Sequence, residues 1–88
     1  MPKSEPQLAL AWVVRKLRTE KGLTQEALAL EAELHLTWIG RLEAGVNPTW
    51  ATTMAVALAL GTTHGELAML ADQRRREEDR DRGTDAGP

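Results

Sequence analysis

His35 and His64 stand 29 residues apart, the chain has no cysteine, and neither histidine has companion carboxylates clustered at ligand spacing. A metal site is therefore not expected. Each histidine falls where a helix should begin, and serving a helix start is the role the sequence offers it. No Ser-His-Asp arrangement, phosphate-cradling loop or paired-carboxylate motif rises above chance. The lack of cysteine also removes disulfides and thiol nucleophiles, and it suits a reducing compartment. A chain of 88 residues buries only about 60 to 65 per cent of its unfolded surface. A deep catalytic cleft does not fit, so the expectation is one small domain that is not an enzyme and uses no cofactor.

Eleven Lys and Arg against thirteen Asp and Glu leave a net charge of −2. Whole-chain charge thus gives no support for nucleic-acid binding, which must rest on local placement. Between residues 7 and 72 the balance is five basic side chains (Arg15, Lys16, Arg18, Lys21, Arg41) to seven acidic ones, so non-specific electrostatic affinity should be weak. The apolar run Leu8 to Val14 is too short for a secretory segment or a membrane span, and a cytoplasmic protein is expected.

Strand signals are missing: the chain has no Tyr or Phe and only four Val and one Ile, and no polar-apolar alternation long enough for a half-buried strand. The fold class is all-α, a compact five-helix domain over 7–72 after a loose leader at 1–6. The first helix spans Gln7 to Lys21 with Leu10, Val13, Val14 and Leu17 inward, and Gly22 stops it. Thr24 caps a second helix carrying Ala27, Leu28 and Leu30 to Ala32. Glu33 and Leu34 lead to a third, His35 to Ala44, with Ile39 and Leu42 inward. Asn47-Pro48 forces a turn, because the residue before proline is pushed out of the helical region. Thr49 caps a fourth helix, Trp50 to Leu60, with Trp50, Met54, Ala57 and Leu60 inward. Thr63 and Glu66, at capping-box spacing, open a fifth from His64 to Ala71. Residues 73–82 hold no apolar side chain, so the tail 73–88 is expected to fray or stay disordered, with pairs such as Arg74 and Glu78 adding a turn or two of helix.

Two short helices joined by a tight turn have the form of a helix-turn-helix, whose second helix enters the major groove. The sequence resembles the Xre family, the lambda-repressor-like (Cro/repressor-type) DNA-binding domain, in Leu17-Arg18, Gly22-Leu23-Thr24-Gln25, Leu28-Ala29, Ile39, Arg41-Leu42-Glu43, Gly45, Asn47-Pro48-Thr49, Ala57, Ala59-Leu60-Gly61 and Glu66-Leu67. The match covers about Leu10 to Leu70 without a gap. The resemblance implies a DNA-facing set of Thr24, Gln25, His35, Leu36, Thr37, Trp38, Arg41 and Asn47. Gln25 maps to a phosphate donor at a helix N-terminus. Leu36, Thr37 and Arg41 map to base-contacting places, and the planar fork of Arg41 suits the two acceptors of a guanine. Trp38 either reaches the DNA backbone or packs on the second helix. Arg18 and Glu43 map to a structural ion pair. Four residues depart from the family pattern. Glu33 stands where many relatives have Gly, so the turn should be reshaped; Leu36, Ala44 and Val46 replace polar or basic groups.

Two apolar side chains have no inward place. Trp12 falls about 150 degrees from the middle of the first helix's apolar stripe, counting about 100 degrees per residue. Leu58 lies off the inward face of a helix that is apolar from Met54 to Leu60. Either the fifth helix and the tail cover them or a second molecule does; both are assigned to a homodimer interface, since residues 73–82 offer no apolar side chain to cover them. The chain therefore reads as a sequence-specific DNA-binding transcriptional regulator, a homodimer on double-stranded DNA. The rival is a protein-interaction module, antitoxin-like or partner-binding, that keeps the fold with weak or no DNA binding.

Overall fold

The computed structural model describes residues 5–85, with side chains to residue 81. Pro6, whose fixed φ suits the first turn of a helix, opens α1 (Pro6–Glu20). It is followed by α2 (Gln25–Ala32), α3 (Leu36–Glu43), α4 (Trp50–Ala59) and α5 (His64–Asp85). The described residues contain no strand, and all five helices begin within a residue of where the sequence puts them. The caps are the expected ones. The Thr24 hydroxyl accepts from Ala27 N at 3.0 Å, Thr49 from Thr52 N at 3.1 Å and Thr63 from Glu66 N at 3.0 Å.

Helix α1 packs on α5 and α3, α2 on α3 and α4, and α4 on α5. Val14, Leu28, Ile39, Leu42, Val56 and Leu67 are the largest fully buried side chains and join all five helices in one core. Gly45, after α3, has φ 91°, and a Cβ there would stand 2.5 Å from the Leu8 side chain. Glycine takes this left-handed turn without strain and leaves room for the end of the Leu8 side chain.

Helix α4 is rotated from the expected orientation. It buries Thr53, Val56 and Ala57, with Leu60 just beyond its end, while Met54 is exposed and Trp50 is 67% exposed. A helix that is apolar all round from Met54 onward has almost no preferred face, so packing chose the orientation. Thr53 can face inward because its hydroxyl donates to the Thr49 carbonyl at 3.0 Å. Trp50 instead lays its ring on His64 with centroids 3.8 Å apart. In α2 Leu30 is 80% exposed, and the small side chains Ala29 and Ala32 are buried with Leu28.

The C-terminal end differs most. Helix α5 does not stop at Ala71 but runs 22 residues to Asp85, a length of about 33 Å, giving the molecule a long axis of 49 Å. The expected Arg74–Glu78 pair forms, but the helix runs further than the turn or two such pairs were expected to add, and a contact with α1 joins them. The Arg74 guanidinium lies 4.2 Å from the Trp12 ring centroid, Arg74 pairs with Glu78 at 3.5 Å, and Arg75 pairs with Asp72 at 3.6 Å. Trp12, expected at a dimer interface, is thus flanked within its own chain by Arg74 and Lys16. The tail's last three residues and the leader's first four lie outside the described residues. Among the described residues, no single helix is long and apolar enough to cross a membrane, and no three His, Cys, Asp or Glu gather as a metal site.

Candidate nucleic-acid interface

The turn between α2 and α3 keeps its tight form. Glu33 takes the left-handed conformation itself, φ 57° and ψ 41°, and Leu34 N donates to the Ala29 carbonyl at 2.9 Å. The expected reshaping does not occur; the closing hydrogen bonds outweigh a conformational cost of about 1 to 2 kcal/mol. His35 then caps α3, its Nδ1 accepting from Thr37 N at 3.0 Å.

Helix α3 buries Ile39 and Leu42 and turns Leu36, Thr37, Trp38 and Arg41 to solvent. The Arg41 guanidinium carbon lies 5.3 Å from the Trp38 ring centroid, a cation–π contact that narrows the arginine's range of directions. Trp38 is about half exposed, and its ring engages Arg41. Val46 and Asn47, also exposed, share a shallow depression with Trp38, Arg41 and Thr52. Thr24, His35, Leu36, Thr37, Trp38, Arg41 and Asn47 are therefore all exposed, on α3 and the turns at its two ends and at the start of α2.

Behind this face lies the ion pair. Arg18 Nε donates to Glu43 Oε2 at 2.6 Å, its Nη2 donates to Oε1 at 3.0 Å, and its Nη1 donates to the Leu23 carbonyl at 2.8 Å. The two side chains are only 12% and 5% exposed. The Glu43 carboxylate hydrogen bond holds the Arg18 pKa above its ordinary value, against the opposing effect of burial. One bidentate pair thus links the end of α1, the α1–α2 loop and the end of α3.

Gln25 is only partly exposed, and its amide Nε2 donates to Glu43 Oε1 at 3.2 Å. The sequence treated Gln25 and the Arg18–Glu43 pair as separate features. Only the fold brings residues 18 apart in sequence together. The Trp38–Arg41 contact was legible from its i, i+3 spacing.

A family model described as "Helix-turn-helix domain" matches residues 9–70. The chain is 41% identical over 59 residues to an uncharacterized HTH-type transcriptional regulator, y4dJ, of Sinorhizobium fredii, covering 66% of this chain and 77% of that protein. Among solved structures, the clp gene regulator ClgR from Corynebacterium glutamicum superposes with a TM-score of 0.87 at 21% identity, covering 97% of this chain and 92% of that one. The restriction-modification controller protein C.Esp1396I superposes with a TM-score of 0.72 at 26% identity, covering 82% of this chain and 95% of that one. The capped α2, the tight turn at Glu33 and the outward face of α3 fall inside the matched segment, and the chain belongs to the helix-turn-helix domain family.

Proposed function

We propose that the chain is a sequence-specific DNA-binding transcriptional regulator that lays α3 in the major groove of one half-site and acts as a homodimer in the cytoplasm. The observation that carries this reading is the division of α3. One face is locked into the core by Ile39 and Leu42, and the other presents Thr37 and Arg41 to solvent beside a turn of helix-turn-helix form. Arg41 reads a guanine through its two major-groove acceptors. The Gln25 amide carries two N–H donors, so one bond to Glu43 orients the group while the second serves a phosphate. Thr24, His35 and Asn47 flank that face and position the backbone of the duplex.

Leu58 is 69% exposed and borders a groove between α2 and α4 lined by Glu31, Glu33, Ala55 and Ala59; we assign it to the dimer contact. Two subunits would then address half-sites about 34 to 36 Å apart. The protein-interaction reading draws on the exposed Leu36 and Val46 and on the acidic balance of the domain. Selection from random duplexes at low salt, followed by gel shift, separates the two. Enrichment of a paired motif supports the regulator; failure to retain any duplex at low salt overturns it in favour of the interaction module.

A further inference from the structure

The solvent face of α3 contains a gap that the fold does not need. Counting about 100 degrees per residue, Leu36, Thr37, Gly40, Arg41 and Ala44 lie on the side away from Ile39 and Leu42, with Thr37 and Ala44 at its middle and Gly40 between them and Leu36. A Cβ built on Gly40 meets nothing within 4 Å, and its φ is not positive. Neither packing within the chain nor backbone conformation calls for glycine there. Glycine in a helix interior is also among the least favourable residues. What remains is close approach of the α3 backbone to something outside the chain.

The walls of the gap say what that is. Leu36 stands one turn before Gly40 and Thr37 stands beside it, while Ala44, one turn after, is too short to fill the space. Leu36 is an exposed large apolar side chain. Arg41 is drawn toward Trp38, on the side away from Leu36. The space left by the missing Cβ is therefore open, and along the helix it is bordered by the apolar Leu36 and Ala44. In the major groove the group that presents a single apolar methyl is the C5-methyl of thymine.

We propose that Gly40 is the close-approach residue of α3 and that the gap it leaves, walled by Leu36, seats a thymine methyl next to or one step from the guanine addressed by Arg41. This rests on the reading of α3 as the groove helix and adds an A·T requirement to its half-site.

The test uses the full chain and its selected duplex, with each thymidine replaced in turn by deoxyuridine. One replacement per half-site should lower affinity about fourfold, the effect of losing one buried methyl. Gly40→Ala should melt about 4 to 8 °C higher than the wild type, since it relieves a helix-interior glycine. It should nevertheless bind the thymidine duplex at least tenfold more weakly and lose little on the deoxyuridine duplex, where its new methyl takes the vacated space. Leu36→Ala should bring the thymidine-to-deoxyuridine ratio toward one. Wild-type affinity that no replacement alters, or Gly40→Ala binding the thymidine duplex as the wild type does, overturns this assignment and leaves the regulator reading intact. A chain that retains no duplex overturns both.

Discussion

Replacing Arg18 by methionine keeps much of the side chain's apolar stem and removes three hydrogen bonds, two to Glu43 and one to the Leu23 carbonyl. The Glu43 carboxylate is left almost fully enclosed, with the Gln25 amide still donating to it. Because the pair is enclosed, solvent screening offers little relief, and stranding one partner of such a pair costs about 3 to 5 kcal/mol. A domain of 88 residues has a total stability of about 4 to 13 kcal/mol, so the variant should melt at least about 12 °C lower. Arg15→Ala, on the exposed side of α1, should change stability by no more than about 0.5 kcal/mol. Arg18→Met combined with Glu43→Leu removes both charges and should recover more than half of the loss. Urea and thermal unfolding followed by far-UV circular dichroism give all three values. Arg18→Met melting within about 2 °C of the wild type, or a double variant as unstable as the single one, would refute the reasoning. The sign of the pH effect follows from Arg18. Its folded pKa is raised, so the contribution is complete below the unfolded arginine's value and fades only as pH climbs past the folded one. Arg18 titration should therefore leave stability flat through the neutral range.

Arg41→Ala should cost about 1 to 3 kcal/mol on the selected duplex and flatten preference at one base pair, whereas Gln25→Ala should weaken all duplexes alike; fluorescence anisotropy on single-base variants distinguishes them. Glu33→Gly should raise stability by about 1 kcal/mol, because it relieves a side chain held at φ 57°, and calorimetry reads this as a higher melting temperature. Leu58→Lys should convert a dimer to a folded monomer in sedimentation equilibrium; an unchanged mass would remove Leu58 from the interface. Arg74→Ala should lower amide protection in α5 beyond Ala71, since it deletes the contact with Trp12 and the pair with Glu78; protection equal to the wild type would mean that α5 persists without them.

The sequence by itself determined the helices and their beginnings. Thr24, His35, Thr49 and Thr63 cap through backbone groups two or three residues away, and capping is a local interaction that tertiary packing need not supply. It also determined the buried stripe of α3, because Ile39 and Leu42 are large apolar residues at helical spacing among side chains that face water. Tertiary structure alone decided the orientation of α4, since seven consecutive apolar residues give rotation no preference until a partner surface is present. It alone tied Gln25 to Glu43, and it alone set the Arg74 guanidinium against Trp12 of α1, a support for α5 past Ala71 that adds to the local pairs Arg74–Glu78 and Arg75–Asp72. These are contacts between residues far apart in the chain, whose energies depend on distances that local sequence does not encode.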